Sequence, residues 1–145
     1  MSFVLDNSVA MCWLLPPEKL ADRAFAERVL RSLATTQAYV PSLWSLEAAN
    51  VIVKAERKAL VSEARAQTFV ALLSKLNIED DKATVVHALG DTLNLARRYK
   101  LSAYDAAYLE LAMRLGVALA TLDADLAKAA KKAGVPAFKP TGVVT

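Results

Sequence analysis

An α/β domain built on a largely parallel sheet is the fold class this sequence predicts, and three observations predict it. Short apolar runs rich in strand formers alternate with longer stretches whose apolar residues recur at helical spacing. Ala and Leu dominate a chain that is 55% apolar, so helix should outweigh strand. Strands separated by helical crossovers pair in parallel and need helices on both faces. With 145 residues the chain is long enough for a real core and reads as one domain, 1–145.

The elements follow in order. "SFVLD" (2–6) is a short apolar run ending in polar Asn7 and Ser8, the pattern of a buried strand. "SVAMCWLL" (8–15) predicts a short helix stopped by Pro16 and Pro17. Residues 17–36 carry an amphipathic helix through Leu20, Ala24, Val29, Leu30 and Leu33. "AYVP" (38–41) is a second strand, its proline able to open the next helix, over about 42–58. A helix from Ser62 to Leu76 starts without a capping box, and "NIED" (77–80) is a brief third strand. Residues 84–100 read as one helix in which Gly90 is a tolerated weakness. Ser102 and Asp105 have the spacing of an N-cap pair, opening a helix to Arg114 that Gly116 stops. "VALATLD" (117–123) is a fourth strand, 124–134 a helix and "VPAF" (135–138) a fifth strand.

Composition narrows the function classes. Four glycines and five prolines argue against disorder, and a single cysteine, Cys12, excludes an internal disulfide and suits a reducing cytoplasm. The apolar start lacks a basic n-region and carries Asp6 where a signal peptide would be apolar. No run approaches the roughly 18 apolar residues of a membrane span, so a soluble, cytoplasmic protein is expected. Net charge is +3, compatible with a polyanionic partner without demonstrating one. The basic clusters Lys54/Arg57/Lys58, Arg97/Arg98/Lys100 and Lys128/Lys131/Lys132 fall where helices should end, where cations suit the macrodipole.

Ligands of open α/β sheets bind at the carboxyl ends of the strands. Four acids map to that edge: Asp6 ends strand one, Asp123 ends strand four, and Glu47 and Asp105 lie in the opening turns of helices that start there. Each has a plain structural account. Asp105 can complete a capping box with Ser102, and Asp123 can cap the next helix, with Asp125 favoured by the same dipole. Glu47 shares a solvated stripe with Asn50, Lys54 and Arg57. Asp6 is harder to dismiss, because a buried strand rarely ends in an unpartnered acid. Together the four would repel by roughly 4 kcal/mol per pair at about 4 Å and an effective dielectric of about 20. Such a group takes up protons or binds hard cations, and Mg²⁺ or Mn²⁺, one or two ions, fit an all-oxygen set suited to phosphoryl chemistry.

Other chemistries lack parts. The sole histidine, His87, falls within a helical stretch far from that edge, Cys12 sits among apolar neighbours as a buried structural thiol, and no glycine-rich phosphate loop occurs. An aspartyl-phosphate phosphatase of the haloacid type would want a second acid two residues after Asp6, where Ser8 stands.

On "VLDNSVAMCWLLPPE", "PSLWSLEAANVI" and "LSAYDAAYLELAMRLGVALATLDADL", the chain resembles PIN-domain ribonucleases, in particular VapC-type toxins of toxin–antitoxin pairs, over its whole length. The resemblance implies a PIN-like three-layer fold whose five-stranded, mainly parallel sheet has the order 3-2-1-4-5. It assigns Asp6, Glu47, Asp105 and Asp123 as catalytic, metal-binding acids. Ser8, Thr121, Asn50 and Asp125 would support them, Ser8 by hydrogen bonding to Asp6 or to a metal-bound water. It further implies an endoribonuclease, a homodimer and a VapB-type antitoxin lying in a groove near the early helices. Trp13, Leu14, Leu15 and Trp44 are apolar enough to line that groove, although core packing is the expected fate of most of them. Lys54, on the Glu47 stripe, is a candidate contact to the RNA backbone. The alternative is a non-catalytic RNA- or protein-binding module whose acids are structural.

Overall fold

The computed structural model describes residues 1–140. Four strands, β1 (Ser2–Leu5), β2 (Gln37–Pro41), β3 (Ile78–Asp81) and β4 (Ala118–Ala120), form a parallel sheet of order β3-β2-β1-β4. Phe3, Val4 and Leu5 are all fully buried. Consecutive strand residues point to opposite faces, so both faces of β1 are covered by helices, as an all-parallel sheet requires.

Helix α1 (Asn7–Ala10) follows β1 directly and tightens into a 3₁₀ turn, Met11–Trp13. Then come α2 (Leu20–Ser32), α3 (Trp44–Arg57) and α4 (Glu63–Lys75). Although no acidic partner completes a box, the Ser62 hydroxyl still accepts the Arg65 N–H and caps α4. Helix α7 (Ala103–Leu115) packs against β1, β2 and β4, and its residues Ala106–Ala112 are all buried, as for a helix enclosed on every side. Helix α8 (Ala124–Lys132) completes the set. All three basic clusters reach the last turn of a helix: Lys54 and Arg57 in α3, Lys131 and Lys132 in α8, and Arg97 and Arg98 in the helix before α7.

Three expectations are corrected. The expected fifth strand contributes a single parallel bridge, Leu119 to Ala137, in which Leu119 N–H donates to Pro136 and Phe138 N–H donates to Leu119. The segment lies beside β4, where a fifth strand would pair. Pro136 has no N–H to extend a ladder, so pairing stops there. Phe138 instead anchors the segment by stacking on Phe3, with ring centroids 3.9 Å apart. The single helix expected over 84–100 is broken into α5 (Thr84–His87), a π turn (Ala88–Thr92) and α6 (Leu93–Tyr99). Gly90, at φ −113° and ψ −106°, is the break, a conformation open to a residue without Cβ. Cys12 is half-buried rather than enclosed, its thiol donating to the Ser8 carbonyl. Among the apolar groove candidates, Leu14 and Trp44 are buried in the core. Trp13 and Leu15 pack against it, the Trp13 indole donating to the Ala26 carbonyl. Among the described residues no helix is long and apolar enough to cross a membrane.

Candidate active site

The register of the central strands explains why residues distant in sequence meet. Leu5 pairs with Ala120, and the next N–H, that of Asp6, donates to the Ala120 carbonyl at 2.9 Å. Asp6 therefore arrives opposite Thr121 at the carboxyl edge of the sheet. Its side chain does not cap α1. Oδ2 accepts from the Ser8 hydroxyl at 2.6 Å and the Thr121 hydroxyl at 2.7 Å. Those hydroxyls are held in turn, because Ser8 Oγ accepts the Leu122 N–H and Thr121 Oγ1 accepts the Asp123 N–H. Ser8 and Thr121 thus fix one oxygen of an acid only 4% exposed.

Glu47 rises from the first turn of α3, and its Oε1 accepts a 2.5 Å hydrogen bond from the Tyr108 hydroxyl on α7. Tyr108 is fully buried, and its sequence signal is that of a core residue: an aromatic within the stretch "AAYLELA", apolar except for Glu110. A hydroxyl enclosed in a core needs a partner, which is the one clue that pointed outward. Asp105 lies one turn into α7, where its own N–H donates to the Ser102 hydroxyl. Asp123 caps α8 through Oδ1, which accepts the Leu126 N–H. The Asp123 cap therefore forms as expected and uses one carboxylate oxygen, whereas of the expected capping box only the Ser102 half forms, and no hydrogen bond returns from the Ser102 N–H to the Asp105 carboxylate. Asn50, Lys54 and Asp125 are exposed, Asp125 within the first turn of α8.

The electrostatics follow from this crowding. Burial pushes the Asp6 carboxyl above its ordinary range, opposed by the Ser8 and Thr121 hydrogen bonds and reinforced by Asp123. Burial also raises Glu47, against the Tyr108 hydrogen bond and with the charges of Asp6 and Asp105. Asp105 is raised to about 6 by burial and by the negative charges of Asp123, Asp6 and Asp125. A fifth acid of the same sheet edge makes the contrast. Asp81, at the end of β3, is half-buried, and the Arg114 guanidinium and the Thr84 hydroxyl hold its carboxyl below the usual range. Arg114 also binds buried Glu110, one turn earlier on α7, at 2.8 Å. None of the four acids Asp6, Glu47, Asp105 and Asp123 forms an ion pair among the described residues.

An all-carboxylate group lacking any cation of its own suits a hard divalent ion in donor type and charge. Among the described residues no three acids stand close enough together to hold one ion as placed, so ligation requires side-chain rotation. Asp105 and Glu47 are half-buried and have room for it. A separate apolar cavity of ≈ 790 Å³, lined by Phe25, Leu119, Val135 and Phe138, touches this edge at Thr121 and contains none of the four acids.

This fold, with unpaired acids collected at the central strand ends, is that of a PIN domain. The PIN domain family matches residues 3–132, so the chain belongs to the PIN-domain family. It is 32% identical over 133 residues to ribonuclease VapC3 of Pyrobaculum aerophilum, covering 88% of this chain and 94% of the relative. That likeness places it with the VapC-type proteins of the family. Among solved structures, PAE2754 from Pyrobaculum aerophilum superposes with a TM-score of 0.61 at 21% identity, covering 89% of this chain and 87% of that one. A toxin–antitoxin complex from Klebsiella pneumoniae superposes at 0.60 with 20% identity, over 97% and 98%.

Proposed function

We propose that this protein is a metal-dependent endoribonuclease, the toxin of a VapBC-type pair. The observation that carries the reading is the set of four carboxylates at one sheet edge, three of them held above their ordinary pKa range by burial and by one another. A structural role alone would pair such acids with cations, as Asp81 is paired with Arg114. The 32% identity to a ribonuclease across nearly the whole chain supports the same activity. The likeness to a toxin–antitoxin complex supports an antitoxin partner.

In this reading Asp6, Glu47, Asp105 and Asp123 hold one or two Mg²⁺ or Mn²⁺ ions. When bound, these would lower the pKa of water and neutralise charge on the leaving oxygen. The chain's own part is placement. Ser8 and Thr121 keep Asp6 in one rotamer by clamping Oδ2. Tyr108 orients Glu47 from below. Water adds to phosphorus, the P–O3′ bond breaks, and the products are a 5′-phosphate and a 3′-hydroxyl. Lys54, exposed on α3 beyond Glu47, contacts the RNA backbone, with Asn50 and Asp125 at the rim. The protein works in the cytoplasm as a homodimer restrained by a VapB-type antitoxin.

The test compares cleavage of a mixed RNA by wild-type, Asp6→Asn and Asp105→Asn proteins, each with Mn²⁺, Mg²⁺ or EDTA. Cleavage confined to wild-type protein with a divalent ion is expected. Equal cleavage by all samples, or none by wild type free of antitoxin, would refute the reading.

A further inference from the structure

A second concentration of charge lies outside the carboxylate edge, between the end of α6 and the exposed face of α8. A cavity of ≈ 380 Å³ there is lined by Arg98, Tyr99, Lys100, Asp125, Lys128 and Lys132. Its four cations are exposed, and none forms an ion pair among the described residues. The helix dipole accounts for Arg98 in the last turn of α6 and Lys132 in that of α8. It does not account for two helices turning their cations toward one cavity, where like charges repel. Lys100 sharpens the point. It caps α6 at φ +55° and ψ +44°, a left-handed conformation where glycine is unstrained and lysine is not. A cation stands where backbone stability favours glycine.

We infer that this cleft binds the phosphodiester backbone of single-stranded RNA flanking the bond to be cut, an assignment that rests on the ribonuclease reading above. Asp125, Lys128 and Lys132 lie on one stripe of α8, which runs from the turn capped by Asp123 to the far end of the helix. From Asp125 to Lys132 the helix rises ~10 Å at about 1.5 Å per residue. That spans about three stacked nucleotides at roughly 3.4 Å each. The cleft therefore grips phosphates within about three nucleotides of the acids, Lys128 the nearer and Lys132 the farther. Tyr99, with the Arg98 guanidinium 5.7 Å from its ring centroid, offers a flat surface on which a base can stack.

The experiment measures binding of a short fluorescein-labelled single-stranded RNA to the full chain by anisotropy, in EDTA so that nothing is cut. The Lys128→Gln/Lys132→Gln protein should bind about tenfold more weakly at low salt. Its plot of log affinity against log salt should be shallower by ~1.4, at about 0.7 per phosphate contact on a single strand. A Lys19→Gln/Lys75→Gln control removes the same charge elsewhere and should match wild type. Lys100→Gly should weaken binding while raising the thermal midpoint, a pair of effects that a purely structural lysine does not produce. Unchanged affinity and slope in the cleft variants, an equal loss in the control, or a cleft that prefers polyglutamate to RNA would overturn the assignment. Wild-type protein that binds RNA through the cleft yet cleaves none with Mn²⁺ would refute the ribonuclease reading and leave backbone binding standing.

Discussion

Replacing Asp105 by asparagine should make the metal-free protein more stable at neutral pH while abolishing cleavage. The carboxyl of Asp105 is raised to about 6 by burial and by three neighbouring negative charges, whereas an unfolded-state aspartate titrates near 3.9. The folded protein therefore binds the extra proton between about pH 4 and 6, and stability contributed by this group falls as pH rises through that window. At ~1.36 kcal/mol per tenfold change in the protonation equilibrium, the penalty at pH 7 is at most ~3 kcal/mol. Asp105 is half-buried and its repulsions are screened by solvent, which reduces the expected gain to about 1 kcal/mol. Asparagine keeps the backbone bond from residue 105 to the Ser102 hydroxyl, so the cap is not lost with the charge. For a chain of this length ~1 kcal/mol corresponds to about 3 °C in the thermal midpoint. Scanning calorimetry in EDTA at pH 7.5 and pH 4.5 should show the gain at the higher pH and little of it at the lower. With millimolar Mn²⁺ the order should invert, because the wild-type acids gain the cation they lack. No gain at pH 7.5, or one undiminished at pH 4.5, would show that the acids do not repel as the geometry requires.

Other perturbations separate orientation from charge. Tyr108→Phe removes the hydrogen bond that orients Glu47. It should lower kcat about tenfold with KM little changed, since one bond to a charged group is worth ~1.5–3 kcal/mol, and single-turnover cleavage would show it. Ser8→Ala combined with Thr121→Val removes both donors to Asp6 Oδ2. Its carboxyl should rise further, so the acid limb of the pH–rate profile should move to higher pH. Arg114→Met strands Asp81 and Glu110, the latter only 5% exposed. Urea unfolding at pH 7 should record a loss of about 3 kcal/mol. The Asp81 share of that loss should shrink as pH falls below the unfolded aspartate range, because this lowered carboxyl stabilises only when ionised.

The parts of the site legible in the sequence were those where polarity broke a pattern. Asp6 interrupts an apolar run, and Asp123 ends one, so both could be assigned to strand ends and to one edge. Ser8 and Thr121 lay beside these acids, and their hydroxyls do meet Asp6. Tyr108 could not be read that way, since an aromatic in an enclosed helix serves packing first and its hydroxyl partner lies on another helix. Glu110 and Asp81 were invisible for the opposite reason: their meaning is Arg114, and nothing in spacing ties residue 81 to residue 114. Helix and strand positions followed from periodicity, while the two departures in backbone course came from single residues. Pro136 halted a ladder that its neighbours would have continued, and Gly90 opened a helix whose pattern ran through it.

The parallel pairing of β1 with β4 has a consequence in time. Asp6 is made 115 residues before its partner hydroxyl, Thr121, and 117 residues before its fellow acid, Asp123. At about 5–20 residues per second, Asp123 is added on the order of ten seconds after Asp6. Until α8 has emerged and β4 has docked, the acids at the strand ends are dispersed along an incomplete chain. On the ribonuclease reading, a growing polypeptide cannot cut RNA before the segment bearing Thr121 and Asp123 has paired with β1.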